Sequence, residues 1–178
     1  GTANLTLGTG GLTVDLTSAA GSKGLNLIGS SGTDTITATG KADTFTIASS
    51  GQGNLDVLDG AGGADTLQLS AGSHVFASDD NFKNIETVLA NSAGSSVNLS
   101  AQTEGFTITG FTGIDVIRGG KGNDIISSDG AYDVLFGGEG DDTLTGGADN
   151  DELTGGAGAD TFNIDAGEDS IADLSTTD

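Results

Sequence analysis

A nine-residue period is the feature that most constrains how this chain can fold. From Gly110 to Ala172 the sequence divides without a gap into seven nonapeptides, of which GGEGDDTLT and GGAGADTFN are the most regular. The sixth position is aspartate in all seven: Asp115, Asp124, Asp133, Asp142, Asp151, Asp160 and Asp169. The eighth position is a large apolar residue in all seven: Ile117, Ile126, Leu135, Leu144, Leu153, Phe162 and Ile171. This regularity predicts a stack of similar short units, each packed on its neighbours.

The same phase occurs earlier in the chain. Four nonapeptides lie at 29–37, 38–46, 51–59 and 60–68, and four extra residues at 47–50 interrupt them. Their sixth positions are Asp34, Asp43, Asp56 and Asp65, and their eighth positions are Ile36, Phe45, Leu58 and Leu67. The stretch 24–34 also matches the stretch 105–115. The chain is therefore predicted to contain two tandem segments built on one plan, the second longer and more regular.

This phase divides the chain into five predicted regions. They are an N-terminal cap of alternating strands (1–28), a first, shorter array (29–68), an irregular connector with strands (69–109), a second, regular array (110–172) and the C-terminal end (173–178). Within the connector, Ser78 is predicted to cap one short helical turn, and residues 84–89 are predicted to form a strand. No long amphipathic helix pattern occurs anywhere in the sequence.

Composition excludes several classes of protein. The chain of 178 residues has no cysteine and one histidine, His74, so disulfide scaffolds, zinc–thiolate sites and multi-histidine metal centres are excluded. The formal net charge of −21 argues against binding to nucleic acid or to an anionic membrane surface. No apolar run approaches the length of a membrane span. The sequence lacks GxSxG and HExxH motifs, so no enzyme activity is expected from it.

The two halves of each nonapeptide predict different structures. Glycines at positions one, two and four allow a tight turn with positive φ, and the last three residues predict a short strand with one inward side chain. Two nonapeptides make a coil of 18 residues, so that Asp124 stacks near Asp142, Asp142 near Asp160, and Asp133 near Asp151. Five basic residues cannot neutralise eleven stacked carboxylates. A hard divalent cation held by carboxylate and backbone carbonyl oxygens fits this pattern, and Ca²⁺ fits better than Mg²⁺ because it tolerates six to eight ligands in flexible geometry.

Three of the nonapeptides, GGKGNDIIS, GGEGDDTLT and GGAGADTFN, resemble the repeats-in-toxin (RTX) pattern GGxGxDxUx, a known Ca²⁺-binding repeat. The resemblance is strong over 110–171 and weaker over 29–68. It implies an all-β, right-handed parallel β-roll that folds around Ca²⁺ outside the cell after type I secretion. All eleven aspartates become expected metal ligands, for about five to seven Ca²⁺ ions. Ser128, Ala131, Asp149 and Ile164 depart from the pattern, and sites in their loops are expected to be distorted or to gain a carboxylate ligand.

A second, less specific resemblance concerns the layout outside the nonapeptides. The stretch FKNIETV at 82–88, followed by VNLS at 97–100 and then by an array, is similar to bacterial surface-layer proteins and large RTX adhesins. It implies an extracellular structural segment at the bacterial cell surface that folds, and can assemble with copies of itself, when Ca²⁺ binds. One alternative is the secretion and folding module of an RTX protease or lipase whose catalytic domain lies outside this sequence. Another is a module that binds cell-surface polysaccharide through Ca²⁺, for which Tyr132 is the best exposed aromatic candidate.

Overall fold

The structure is a computed structural model, and it describes residues 3–8, 10–19, 24–28, 32–47, 56–90 and 94–174. The strands in these ranges are β1 (Ala3–Thr6), β2 (Thr13–Asp15), β3 (Leu25–Ile28), β4 (Thr35–Thr37), β5 (Thr44–Ile47), β6 (Val57–Asp59), β7 (Thr66–Leu69), β8 (Gly72–Val75), β9 (Phe82–Lys83), β10 (Thr87–Ala90), β11 (Ser95–Asn98), β12 (Thr107–Thr109), β13 (Val116–Arg118), β14 (Ile125–Ser127), β15 (Val134–Glu139), β16 (Thr143–Thr145), β17 (Glu152–Ala157), β18 (Thr161–Asn163) and β19 (Ser170–Ile171). A 3₁₀ turn at Asp79–Asn81 is the one helical element of the described ranges.

The strands form three sheets in which every pairing is parallel. Sheet A has nine strands in the order β1-β3-β5-β7-β10-β12-β14-β16-β18. Sheet B has the order β2-β4-β6-β9, and sheet C has the order β19-β17-β15-β13-β11-β8. Because the chain returns to sheet A after each passage through sheet B or sheet C, and through both by way of β8 and β9, it winds as a β-solenoid. The all-β, parallel β-roll expected from the nonapeptides is confirmed.

The length of one coil varies along the solenoid. Eighteen residues separate hydrogen-bonded neighbours throughout the regular array, as for Asp124 and Asp142. Twenty-two residues separate Asp34 from Asp56 and Asp43 from Asp65. The first array therefore keeps its register but carries longer turns. Its extra residues 48–50, and the turn residues 29–31 and 51–55, lie outside the described ranges.

The core is a column of apolar side chains between the sheets. All position-eight residues from Ile117 to Leu153 are fully buried, as are Ile36, Phe45, Leu58 and Leu67. Phe162 and Ile171 are half-buried and pack against the same column. In register, Ile108, Ile126 and Leu144 are directly adjacent along sheet A. Burial of one large apolar side chain per strand therefore stabilises every coil through its neighbours.

The connector belongs to the solenoid. Sheet A continues through it by way of β10 and β12, whereas the opposite face changes from sheet B to sheet C. At this change the Phe82 ring lies between those of Phe76 and Phe106, with centroid distances of 4.8 Å and 5.5 Å. Ser78 caps the 3₁₀ turn as predicted, its hydroxyl accepting the Asp80 N–H, and the expected strand at 84–89 corresponds to β10. The division into five regions stays a prediction.

No helix in the described ranges is long and apolar enough to cross a membrane.

Candidate functional site

The repeat aspartates form three rows along the solenoid, each row at the beginning of the strands of one sheet. Row A precedes sheet A, row B precedes sheet B and row C precedes sheet C. Row A contains Asp43, Asp65, Asp124, Asp142 and Asp160; row B contains Asp34 and Asp56; row C contains Asp115, Asp133, Asp151 and Asp169. All of them are buried except Asp169, which is half-buried. The coil geometry thus brings together carboxylates that are 18 to 22 residues apart in sequence.

One carboxylate oxygen of each aspartate has a structural partner in the preceding coil. Asp142 Oδ1 accepts the Asp124 N–H at 2.7 Å, and Asp151 Oδ1 accepts the Asp133 N–H at 2.8 Å. The same contact joins Asp43 to Asp65. The predicted stacking of Asp124 near Asp142, Asp142 near Asp160 and Asp133 near Asp151 is therefore present. This ladder fixes the spacing of the turns without using the second oxygen.

The second carboxylate oxygen, Oδ2, occurs in two environments. In Asp43, Asp115 and Asp124 it accepts the backbone N–H four residues earlier; for Asp124 the donor is Gly120, at 2.7 Å. In Asp65, Asp142 and Asp151, and also in Asp133 and Asp169, Oδ2 is buried and has no hydrogen-bond partner.

The backbone contributes to this difference. For Asp65, Asp142 and Asp151 the residue four positions earlier, which is Ala61, Gly138 or Gly147, has positive φ, whereas Asp129 and Asp165, which lie four positions before Asp133 and Asp169, do not, so the backbone accounts for only part of the difference. Gly120, which donates to Asp124, does not. Turns of the second kind thus leave a buried carboxylate oxygen available for a ligand.

Glycine at position one makes room for this oxygen. A Cβ on Gly137 would collide with Asp142 Oδ2 and would come within 2.6 Å of the Gly155 carbonyl oxygen in the next coil. A Cβ on Gly60 would collide with Asp65 Oδ2 and with the Asn84 carbonyl oxygen. Carboxylate and carbonyl oxygens therefore share one small space, which only glycine leaves open.

Burial makes these carboxyl groups hard to ionise. Loss of solvent, with a smaller contribution from the neighbouring Asp124 and Asp160 carboxylates, raises the pKa of Asp142 to about 7 against the lowering effect of the Asp124 N–H. The pKa of Asp65 and that of Asp133 are each raised to about 6 by the same cause. Burial also raises the pKa of Asp56, Asp115, Asp124 and Asp151. At neutral pH the rows hold negative charge that the fold itself disfavours.

The chain's basic residues do not compensate these carboxylates. The two ion pairs found in the described ranges join Lys83 to Asp80 and Lys121 to Glu139, both at 3.3 Å and both at the surface. Nor does the described part of the chain contain a cluster of three or more acidic or histidine side chains arranged as a metal centre. A cation here would take only one or two carboxylates and would need backbone carbonyls for the rest. Ca²⁺ accepts such a ligand set, so the residues of these turns fit it.

The family comparison agrees with this geometry. The family described as RTX calcium-binding nonapeptide repeat (4 copies) matches residues 28–46, 50–73, 109–144 and 136–171, more than half of the chain. The chain belongs to this RTX family. It has no significant match among curated proteins or among solved structures. Calcium binding by the repeats follows from the family; the assignment of individual aspartates as ligands stays a prediction.

Glu86 is a member of row A that the nonapeptide phase misses. Its Oε2 accepts the Asp65 N–H at 2.7 Å, the contact that an aspartate makes elsewhere. The signal is present in the sequence, because Glu86-Thr87-Val88 repeats the acid-threonine-apolar pattern of Asp65-Thr66-Leu67. In the next coil this place is taken by Phe106, whose N–H bonds Asp124 Oδ1 at 2.7 Å. The row thus crosses the connector with one interruption.

The turns that depart from the consensus keep its backbone conformation at position four but not at position two. Ala131 and Asp149 replace glycine at position four, and both have positive φ, 81° and 74°. Asp129 and Asp165, at position two, do not have the positive φ of Gly138. Ser128 replaces glycine at position one, and its hydroxyl donates to the Gly146 carbonyl oxygen at 2.6 Å, so this row C carbonyl already has a hydrogen-bond partner.

Tyr132 and His74 lie outside the carboxylate rows. Tyr132 is exposed at a turn, as expected from the sequence. His74 is completely buried, where its Nε2 lies 2.9 Å from the Ser70 carbonyl oxygen, and burial lowers its pKa. It is a core residue of β8.

Proposed function

We propose that this chain is an extracellular, Ca²⁺-dependent structural module of the surface-layer or adhesin type. Its polypeptide stays open at low Ca²⁺, during type I secretion, and folds at the cell surface when Ca²⁺ binds. The observation that carries the proposal is the buried Oδ2 atoms of Asp65, Asp142 and Asp151, which lack hydrogen-bond partners and of which those of Asp65 and Asp142 lie beside a carbonyl oxygen of the next coil. All eleven repeat aspartates are proposed ligand positions, and these three are the best formed.

The physical basis is linkage between binding and folding. Ca²⁺ supplies positive charge that the five basic residues cannot provide to 26 acidic ones. The rows exist only in the folded chain, because they unite residues from successive coils, so the free energy of Ca²⁺ binding stabilises the fold. Extracellular Ca²⁺ modules have dissociation constants of about 10⁻⁴–10⁻³ M. Folding is therefore expected near millimolar Ca²⁺.

The two alternative functions predict different oligomeric states and ligands for the module. As the folding module of an RTX enzyme, the chain would fold with Ca²⁺ and stay monomeric. As a polysaccharide module it would bind glycan through Ca²⁺ at the rows. The uninterrupted nine-strand sheet A, spanning both arrays, favours a spacer or assembly role because it extends one stiff body along a single axis.

Calcium titration of chelator-treated protein, followed by light scattering coupled to size exclusion, tests the proposal. We expect an expanded monomer to become compact near millimolar Ca²⁺, and chelator-reversible growth into ordered polymers if the module assembles. Compaction without growth would favour the enzyme-module alternative. A hydrodynamic radius that ignores Ca²⁺ would refute the calcium dependence itself. Mg²⁺ at the same concentration is the control and should compact the chain much less.

A further inference from the structure

A cleft lies on the surface at the C-terminal ends of β13 and β15. Its volume is about 270 Å³, and it is lined by Ser100, Arg118, Lys121, Phe136 and Glu139 together with Gly119, Gly120, Gly137 and Gly138 of two row A turns. Arg118 is the one arginine of the chain, and Lys121 is one of four lysines. Two of the five basic side chains thus meet in a single cleft of a protein with net charge −21. Neither residue takes part in the carboxylate rows.

Arg118 is held with its hydrogen-bonding edge free. Its Cζ lies 3.9 Å from the centroid of the Phe136 ring, the residue beside it in register on β15. Stacking on the ring orients the guanidinium plane and leaves its in-plane N–H groups for a planar acceptor. Of the ion pairs in the described ranges, the one within this cleft joins Lys121 Nζ to Glu139 and does not include Arg118. A guanidinium fixed in this way suits bidentate binding of a carboxylate.

The other lining groups indicate what else the ligand carries. Ser100 offers a hydroxyl, Lys121 an ammonium donor and Glu139 a carboxylate acceptor, all at the rim of the cleft. Glu139 can accept hydrogen bonds from sugar hydroxyls, which a run of acidic side chains in a protein partner does not offer. The ligand that matches donors, acceptor and size is a sugar ring with one carboxylate.

We propose that the cleft formed by Arg118, Lys121, Phe136, Glu139 and Ser100 binds a uronic acid residue of an acidic polysaccharide. Arg118 receives the carboxylate, and Lys121, Glu139 and Ser100 bind the hydroxyls. This contact is direct and does not pass through Ca²⁺ in the rows. It therefore stands apart from the proposed folding function.

The experiment uses the calcium-loaded chain, labelled with ¹⁵N, and a tetrasaccharide of galacturonic acid. Saturable shifts are expected at the Ser100 and Phe136 amides, which lie outside the row turns. A neutral glucose tetrasaccharide is the carbohydrate control and should leave these amides unchanged. Tetra-aspartate is the peptide control, and stronger binding of it than of the sugar would overturn the assignment to a polysaccharide.

Variants locate the site. Arg118→Gln should weaken tetragalacturonate binding about tenfold or more, because a charged bidentate contact is lost. Lys121→Gln should weaken it less, and Lys83→Gln, which changes a surface lysine paired with Asp80, should have no effect. Equal affinity of wild type and Arg118→Gln would overturn the proposal, as would shifts confined to the row turns. Hydrodynamic radius, measured on the same samples, shows separately whether Ca²⁺-dependent folding has occurred.

Discussion

Ser128 stands where the repeat pattern has glycine, and it adds a hydroxyl group beside the row C carboxylates. Its hydroxyl occupies the Gly146 carbonyl oxygen, in the row that contains Asp133 and Asp151. In row A, by contrast, position one is glycine at 119, 137 and 155. The two long rows of the regular array therefore differ in the oxygens that they offer a cation.

Replacement Ser128→Gly is expected to strengthen Ca²⁺ binding, because it frees the Gly146 carbonyl and opens space beside Asp133. Isothermal titration calorimetry should show either more Ca²⁺ ions bound per chain or a lower dissociation constant for the weaker Ca²⁺ sites. Ser127→Gly, one residue earlier on β14, is the matched control: it loses about 0.5–1 kcal/mol of stability, as a strand glycine does, without gaining Ca²⁺ affinity. Identical titrations of Ser128→Gly and wild type would contradict the role given to this hydroxyl.

Two adjacent isoleucines test the position-eight core. Ile126 is 0% exposed and Ile125 is 54% exposed, although both lie on β14. Ile126→Ala should lower the free energy of unfolding in Ca²⁺ by about 2–5 kcal/mol, since it leaves a cavity in the column. Ile125→Ala should change it by less than about 0.5 kcal/mol. Urea unfolding followed by circular dichroism measures both, and similar losses in the two variants would show that the alternation of faces is wrong.

At the scale of strands and turns, the carboxylate ladder has two opposed effects. Oδ1 joins each coil to the preceding one, whereas an ionised Oδ2 without a partner destabilises the coil until a cation is present. Whether a substitution in the ladder stabilises or destabilises the fold should therefore depend on whether Ca²⁺ is bound.

Asp142→Asn tests this dependence. The amide keeps an oxygen for the Asp124 N–H, removes the buried charge and places a donor near the Gly155 carbonyl. Without Ca²⁺ we expect the variant to be more compact than the expanded wild type, because the cost of burying an unpaired charge is removed; hydrodynamic radius and circular dichroism measure this. In saturating Ca²⁺ we expect the variant to be less stable than wild type in urea titrations. The exposed Glu104→Gln changes the net charge equally and should alter neither result. If Asp142→Asn favours the folded state in both conditions, or disfavours it in both, the argument is refuted.

The elements also show how far a periodic sequence predicts its structure. The phase of aspartate and apolar residues predicted the inward faces, the stacking of turns and the turns at Ala131 and Asp149, because an 18-residue coil leaves few other arrangements. It did not predict the change from sheet B to sheet C, since the length of an insertion does not specify which strand its neighbour joins. The repeat phase also did not predict that Oδ2 has a hydrogen-bond partner in Asp124 and lacks one in Asp142. Both follow paired glycines, and only the φ of Gly120 and Gly138 distinguishes their Oδ2 environments.

For the whole molecule, the raised carboxyl pKa values predict an unusual response to acid. The folded pKa is about 7 for Asp142 and about 6 for Asp65 and Asp133, against 3.8 for an ordinary aspartate. Between about pH 4 and pH 7 the folded chain therefore binds more protons than the unfolded chain, and its stability without Ca²⁺ falls as pH rises through this window. His74 opposes this trend, because its pKa is lowered by burial and its protonation at acid pH favours unfolding. Several aspartates outweigh one histidine.

Chelator-treated protein should accordingly be more compact, with more β-structure, at pH 5 than at pH 7.5. In saturating Ca²⁺ the order of stability should reverse, since protons compete with the cation for the same oxygens. Hydrodynamic radius and circular dichroism at both pH values test the Ca²⁺-free chain, and urea titrations at both pH values test the Ca²⁺-loaded chain. A Ca²⁺-free chain that is most compact at pH 7.5 would contradict the burial of ionisable carboxylates in the rows.

The ladder also gives the solenoid a direction. The Oδ1 atom of each repeat aspartate accepts a hydrogen bond from a backbone N–H of the coil on its N-terminal side. Each coil therefore turns carboxylate acceptors toward the preceding coil and backbone N–H donors toward the following one. Any exposed end of such a stack is thus chemically unlike the opposite end. Two copies can complete each other's hydrogen bonds only when the donor end of one meets the acceptor end of the next. Contact through these ends therefore produces open filaments that lengthen unit by unit, and it excludes closed two-fold dimers.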